Sequence, residues 1–111
     1  MKKLLITCSF FFTFLTSFGQ TLQQDTIKTS AECESCKLRI ESSLNYTKGV
    51  KFADLNPVNQ LLVVRYNPEK ISLEAIKKQV SDLGYDADEI KASPEAQKKL
   101  PGCCQPGAHH H

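Results

Sequence analysis

Between residues 23 and 90 the sequence alternates between strand-type and helix-type patterning in an order that few folds can accommodate. Apolar residues recur with helical spacing over residues 37–46 and again over residues 73–83, which places them along one face of each helix. Strand-type segments surround and separate these helices: residues 23–29, 50–55, 61–66 and 85–90. The order βαββαβ predicts an α+β fold of the ferredoxin-like type, in which a four-stranded antiparallel sheet carries both helices on one face.

The residues between these segments support the same assignment. Residues 56–60 are rich in turn formers, which predicts a hairpin between the second and third strands. Ser72 is a good N-cap for the second helix, and Gly49 and Gly84 are suited to end the two helices. The second and third strands are therefore expected to form an antiparallel pair.

The first 19 residues have the composition of a secretory signal peptide. Lys2 and Lys3 precede an apolar run over residues 4–18, and Gly19 precedes the expected cleavage point before Gln20. We expect a mature protein of roughly 90 residues, exported to the bacterial periplasm. An uncleaved membrane anchor is less favoured, because the run is shorter than the ~20 residues that span a bilayer and contains several hydroxyl residues. The mature domain is not expected to span a membrane.

Two further observations concern the N-terminus and the charge. Lipidation at Cys8 is conceivable, but few apolar residues precede it. The formal net charge of the full sequence is +2, and removal of Lys2 and Lys3 would bring it close to zero. The charge therefore gives no reason to expect a nucleic-acid partner.

The composition changes again after the predicted domain, which we place at residues 20–93. Residues 94–111 are interrupted by several proline and glycine residues, and we expect a flexible tail unless a metal ion orders it. The tail contains Cys103 and Cys104, followed by three histidines at 109–111. These residues could form a second site for Cu(I) or Zn(II), or add ligands to a site in the domain. Alternatively, the histidines are a tag remnant and the cysteines form a disulfide with another chain.

Cys33 and Cys36 lie three positions apart, where the first strand-type segment gives way to the first helix. Two thiols with this spacing can turn toward one point, where they can either hold a soft metal ion or exchange electrons. A helix N-terminus favours the thiolate form. Glu32 and Glu34 oppose thiolate formation but favour a bound cation.

The cysteine pair and the pattern downstream of it resemble the heavy-metal-associated domain in order and spacing. The matching residues are Cys33, Cys36, Ile40-Glu41, Leu44, Gly49-Val50, Asn56, Tyr66-Asn67-Pro68 and Leu83-Gly84-Tyr85. That family includes copper chaperones, metal-binding modules of copper-transporting P-type ATPases and periplasmic mercury-binding proteins. The resemblance covers residues 26–90 and implies that Cys33 and Cys36 are the metal ligands.

Two positions matter for how far the resemblance extends. The family usually carries Gly-Met-x before its first cysteine, whereas this chain has Ser30-Ala31-Glu32. Because the methionine packs beneath the loop in relatives, Ala31 implies a looser loop or a different metal preference. Tyr85 lies where relatives place a residue that shields the metal, although a core aromatic is an equally good interpretation.

The leading hypothesis is a non-catalytic carrier of Cu(I). It would pass the ion by thiolate exchange to a partner with a cysteine metal site, such as a copper-transporting ATPase or another acceptor. Alternatives within the same class are a scavenger of Hg(II) and a binder of Zn(II). A different class is a thiol-disulfide oxidoreductase, against which stand the acidic residue before Cys33 and the Glu-Ser pair inside the motif. A structural disulfide between Cys33 and Cys36 would close too short a loop to stabilise the fold much.

Overall fold

The computed structural model describes residues 21–104, apart from the side chain of Cys103. Residues 1–20, which include the predicted signal peptide, and residues 105–111, which include the three histidines, lie outside the described part. The elements are strands β1 (Gln23–Lys28), β2 (Val50–Asn56) and β3 (Leu61–Tyr66), helices α1 (Glu34–Asn45), α2 (Leu73–Asp82) and α3 (Pro94–Lys98), and a 3-10 turn (Gly102–Cys104). Within this part of the chain, no helix combines the length and the apolarity needed to cross a membrane.

The three strands form one antiparallel sheet in the order β1-β3-β2. The predicted hairpin is confirmed, because β2 and β3 pair directly across the turn at residues 57–60. Asn56 accepts two hydrogen bonds that stabilise this turn. Its carbonyl accepts one of 2.7 Å from the Gln60 amide, and its Oδ1 accepts one of 2.9 Å from the Val58 amide. Asparagine side chains favour such turns because they can bond to the backbone two residues on.

The ferredoxin-like fold class is confirmed, but the predicted fourth strand at residues 85–90 is not seen among the described residues. Ala87 makes only an isolated antiparallel bridge with Thr29 beside β1. The chain then turns back, since the amide and carbonyl of Ala87 both bond to Ile90 at 2.9 Å. Asp88 takes a positive φ of 52° within this turn. The turn consumes the backbone groups that a longer strand would need for pairing with β1.

Residues 88 and 89 are fixed to the sheet and to α2 by polar contacts. The Asp88 amide donates to the Lys28 carbonyl at 2.8 Å, and the Lys28 amide donates to Asp88 Oδ1 at 2.8 Å. The ammonium group of Lys77 lies 3.3 Å from Asp88 and 3.2 Å from Glu89. Burial alone would lower the pKa of Lys77, but the hydrogen bonds to Glu89 and Asp88 outweigh it and raise that pKa. The segment after α2 is thus held in place without a strand ladder.

One continuous core lies between the sheet and helices α1 and α2. Each element contributes side chains that are at most 1% exposed: Ile27 from β1, Ile40 and Leu44 from α1, Leu55 from β2, Leu62 and Val64 from β3, and Ile76 and Val80 from α2. These are the positions that strand and helix periodicity predict for the inner faces. Complete burial of one such side chain stabilises the fold by about 1.5–3 kcal/mol. The core fixes the N-terminal end of α1, where the cysteine pair lies.

Residues 91–104, which include the first part of the tail predicted at residues 94–111, pack against the domain. We call this segment the C-terminal arm. The Ser81 hydroxyl donates to the Lys91 carbonyl at 2.6 Å, and the Ser93 amide donates to the Ser81 carbonyl at 2.9 Å. The Ser93 side chain caps α3, and Leu100 is 7% exposed. The arm therefore begins beside α2 and returns toward the core, while residues 105–111 of the predicted tail are not described.

Candidate metal centre

Cys33 and Cys36 occupy the N-terminus of α1, as predicted. Cys33 is the N-cap residue, with extended backbone angles and no capping bond from its side chain, and Cys36 lies in the first turn. Their Sγ atoms are 2.7 Å apart. The first amides of a helix lack intrahelical acceptors and carry partial positive charge. Cys36 is fully buried and Cys33 is half-buried, so the pair lies at the edge of the core.

A third sulfur, that of Cys104 near the C-terminal end of the described chain, lies beside the pair. The 3-10 turn packs against α1, and Cys104 is joined to Cys36 as a disulfide with a Cα–Cα distance of 5.8 Å. Cys33 Sγ lies 3.3 Å from Cys104 Sγ. The three sulfur atoms all lie within 4.8 Å of one another. Reduction of the disulfide would therefore leave three thiols around one point.

The structure places three of the four predicted metal ligands together and does not describe the side chain of the fourth. The structure brings together Cys33, Cys36 and Cys104, although 68 residues separate the last two. The side chain of Cys103 lies outside the described part, so its role stays a prediction. The Cys36–Cys104 pairing was not predicted, and it replaces the alternative of a structural disulfide between Cys33 and Cys36. The signal that could have found it is the second pair of cysteines just after the apolar residue Leu100.

The immediate surroundings of the sulfurs are polar and acidic. The Ser35 hydroxyl lies 3.2 Å from Cys33 Sγ and 3.5 Å from Cys104 Sγ, within reach of both. Glu34 is exposed beside the pair, and the exposed Glu32 accepts a hydrogen bond from the Gln60 side chain at 3.2 Å. Carboxylates that flank a cysteine in the sequence add negative potential there, which favours a bound cation.

Lys37, which follows Cys36, makes its hydrogen bonds with residues other than the cysteines. Lys37 donates hydrogen bonds to Glu41, to Asp54 at 2.9 Å and to the Leu55 carbonyl at 3.0 Å. The bonds to Glu41 and Asp54 raise the pKa of Lys37, and the bond to Lys37 lowers the pKa of Asp54. The ammonium group thus binds carboxylates of α1 and β2, and the charge next to Cys36 is committed to holding the helix on the sheet.

Hydrogen bonds hold the loop before Cys33, for which the sequence predicted either looser packing or a different metal preference. The Ala31 amide donates to the Thr29 hydroxyl at 3.2 Å, and that hydroxyl donates to the Gln60 carbonyl at 3.0 Å. The Asp86 amide donates to Ser30 Oγ at 2.9 Å. Ala31 itself is fully buried. These contacts anchor the loop on both sides.

Tyr85 is fully buried in the same hydrophobic cluster as Ala31, Cys36 and Cys104. This position agrees with its interpretation as a core aromatic. The fold and the site together define a small α+β domain that presents clustered cysteine sulfurs at the start of a helix. Proteins of this class bind soft metal ions or exchange thiols and disulfides.

Comparison with known proteins separates these two possibilities at the level of the family. The heavy-metal-associated domain model matches residues 28–86, more than half of the chain, and the chain belongs to that family. The copper chaperone CopZ of Staphylococcus aureus is 39% identical over 54 residues, which cover 49% of this chain and 79% of the chaperone. A solved structure of a CopZ metallochaperone superposes with a TM-score of 0.56 and 33% identity, covering 59% of this chain and 98% of that one.

Metal-transporting ATPases are also similar, over a small part of their length. A copper-exporting P-type ATPase of Staphylococcus epidermidis is 40% identical over 65 residues, which cover 59% of this chain and 8% of the ATPase. A zinc-transporting ATPase of Synechocystis is 40% identical over 62 residues, covering 56% of this chain and 9% of the ATPase. This chain therefore spans less than a tenth of each of these two ATPases, and the similarity concerns one domain.

Proposed function

We propose that this protein is a non-catalytic carrier of Cu(I), which it binds through Cys33 and Cys36. The observation that carries the proposal is the convergence of the two sulfurs, 2.7 Å apart, at the start of α1 in a member of the heavy-metal-associated family. Thiolates are soft ligands that suit Cu(I), and two of them are enough to hold it. The similarity to a copper chaperone and to a copper-exporting ATPase supports copper as the cargo.

Transfer would proceed by ligand exchange. A thiolate of the acceptor binds the ion while it is still attached to Cys33 and Cys36, and the resulting three-coordinate ion then loses one of the original ligands. Cys33, the half-buried sulfur, is the ligand that an acceptor can approach first. The proposed partner is a protein with its own cysteine metal site, such as a copper-transporting ATPase.

The proposal includes export of the protein. Its support is the sequence pattern of residues 1–19, with two lysines before an apolar run. We expect the protein recovered from the periplasmic fraction of the producing bacterium to begin at Gln20, which intact mass and N-terminal sequencing would reveal. Recovery of the full-length chain from the membrane fraction would favour the uncleaved anchor instead.

The proposed cargo is tested by metal loading of the purified protein. The protein is reduced, loaded anaerobically with Cu(I) as its acetonitrile complex, desalted and analysed for copper by mass spectrometry. We expect about one bound ion per chain, and loss of that ion in Cys33→Ser and Cys36→Ser. Ser42→Ala, an exposed change on the outer face of the same helix, is the matched control and should bind like the parent. Full copper binding by Cys33→Ser would refute the proposal.

A parallel loading with Zn(II) and Hg(II) tests the other cargoes. The similarity to a zinc-transporting ATPase is the reason to include zinc. Because Zn(II) takes four ligands, a site of two or three sulfurs needs further donors to bind it well. We therefore expect Cu(I) to displace Zn(II) from the loaded protein. Retention of zinc in the presence of equimolar Cu(I) would change the assigned cargo.

One observation favours a second candidate, a thiol-disulfide oxidoreductase. Cys33 Sγ lies 2.7 Å from a sulfur of the Cys36–Cys104 disulfide. The Cys33 thiolate could attack Cys36, forming a Cys33–Cys36 bond as the Cys36–Cys104 bond breaks and Cys104 leaves as a thiolate. Burial of Cys36 and Cys104 limits access for a protein substrate. Reduction of insulin by the protein with glutathione as the electron donor, lost in Cys36→Ser, would support this candidate.

A further inference from the structure

The sulfur of Cys104 comes from outside the segment shared with the family. The family match ends at residue 86, whereas Cys104 lies at the end of the C-terminal arm. The sulfur is nevertheless 3.3 Å from Cys33 Sγ and belongs to the same buried cluster as Cys36. The arm therefore adds to the common two-cysteine site something that the family match does not account for.

The arm is built into the domain along its length. At its start, the Ala92 amide donates to Asp86 Oδ1 at 2.9 Å, next to the bonds that Ser81 makes with Lys91 and Ser93. In its middle, α3 packs so closely on Gly84 that a Cβ there would lie 3.1 Å from the backbone of Ala96. At its end, Leu100 and Cys104 are 7% and 4% exposed. Cys104 reaches the site on a segment that the rest of the domain positions.

The sulfur geometry suits a single ion. Three thiolates arranged around an ion with bonds of about 2.3 Å lie about 4 Å from one another. The three Sγ atoms already lie within 4.8 Å of one another. After reduction of the disulfide, rotation of the side chains would need to move the sulfurs by only about 1–2 Å to reach this arrangement. The hydroxyl of Ser35, between Cys33 and Cys104, can donate a hydrogen bond to a thiolate.

We propose that, in the reduced protein, Cys104 is the third thiolate ligand of the metal ion held by Cys33 and Cys36. This inference rests on the proposed function and concerns the same site. The arm would then help the protein to retain the ion, because Cys104 already occupies the coordination position that an acceptor thiolate would take. Transfer then requires the acceptor sulfur to bind the metal as the bond between the metal and Cys104 breaks. The acceptor thiol loses a proton in this step, and the released Cys104 thiolate gains one.

The Cys36–Cys104 disulfide is the oxidised form of this site. Its sulfurs cannot act as thiolate ligands, so the oxidised protein lacks two of the three proposed ligands. A phosphine reductant restores them: it delivers two electrons, water supplies the oxygen that the phosphine takes up, and each sulfur gains a proton. The experiment below is therefore carried out on protein reduced with a phosphine and kept free of oxygen.

X-ray absorption at the copper edge counts the sulfur atoms bound to Cu(I) in the parent protein and in its variants. We expect three sulfurs in the parent and two in Cys104→Ser. Competition with the Cu(I) chelator bathocuproine disulfonate should show at least ~10-fold weaker binding in Cys104→Ser, since even indirect partners of metal ligands change affinity 10–100-fold. Copper should also pass to the chelator faster from this variant. Ser42→Ala, an exposed change on the same helix, is the matched control and should keep three sulfurs. Cys103→Ser is measured beside it, because Cys103 is the other candidate for a third ligand.

Each outcome separates this inference from the function on which it rests. Two sulfurs and equal affinities in the parent and Cys104→Ser would overturn the inference, and loss of copper in Cys33→Ser would leave the carrier function intact. A drop from three sulfurs to two in Cys103→Ser, with Cys104→Ser unchanged, would also overturn it. Full copper binding by Cys33→Ser would refute the carrier function and the inference together.

Discussion

The close packing of α3 on Gly84 gives a sharp test of how the C-terminal arm is attached. Gly84 has a φ of +108°, which L-amino acids rarely adopt. In Gly84→Ala, the new methyl carbon would lie 3.1 Å from both the carbonyl carbon and the carbonyl oxygen of Ala96. These are backbone atoms, so the clash can be relieved only if α3 moves.

The expected loss of stability follows from these two effects. The unfavourable φ costs about 1–3 kcal/mol, and the forced displacement of packed atoms costs about 1–3 kcal/mol. Alanine regains ~0.4–1 kcal/mol because it has less freedom than glycine in the unfolded chain. The net loss should be about 1–6 kcal/mol, which lowers the Tm of a domain of this size by at least ~4 °C.

Thermal and urea unfolding, followed by circular dichroism on reduced protein, measures this loss. Gly102→Ala is the matched control, because a Cβ at Gly102 meets nothing within 4 Å and the residue has no positive φ. It should change the free energy of unfolding by no more than about 0.5 kcal/mol. If Gly84→Ala is as stable as Gly102→Ala, α3 does not pack on Gly84 as described. The reasoning about the arm would then fail.

Two further predictions concern the sheet and its core. Burial, and then the 2.6 Å hydrogen bond to Asp25, raise the pKa of Tyr66 to about 12, so this stabilisation is complete below pH 10 and is lost as the pH rises toward 12. In an absorbance titration the part of the phenol signal that Tyr66→Phe removes should ionise near pH 12, and the stability advantage over Tyr66→Phe should shrink above pH 10. Ionisation of that part near pH 10 would contradict this. In a urea titration, Leu62→Ala should lower the free energy of unfolding by about 2–5 kcal/mol. Val58→Ala, at a position 92% exposed, is the control and should be nearly neutral. Equal effects of the two changes would show that Leu62 does not lie in the core.

A third thiolate has a consequence for how such a carrier works. With two ligands, an acceptor sulfur can approach Cu(I) directly, and exchange is limited mainly by docking. With Cys104 bound, the same approach must be accompanied by release of the arm from α1. An acceptor that contacts residues 91–104 could speed this release, whereas a small chelator could not. The arm would then favour delivery to a docked protein over loss of copper to small thiols.

Local patterning determined most of the fold and the position of two of the three proposed ligands. Helical and strand periodicity depend on neighbouring residues only, so α1, α2, β2 and β3 could be predicted within a few residues of their observed bounds. The position of Cys33 and Cys36 at the start of α1 is equally local, because it requires only a strand-to-helix boundary at the motif. These features are present in any chain with this order of apolar and polar residues.

Tertiary structure decided the features that depend on residues far apart in the chain. The sequence predicts a strand at residues 85–90, but the turn between Ala87 and Ile90, fixed by contacts to Lys28 and Lys77, leaves only one bridge to β1. The proline- and glycine-rich composition predicts a flexible tail, but α3 packs against Gly84, a contact that no local sequence pattern reveals. The third sulfur follows from that packing: it brings Cys104 to Cys36 across 68 residues, and only the folded domain supplies that proximity.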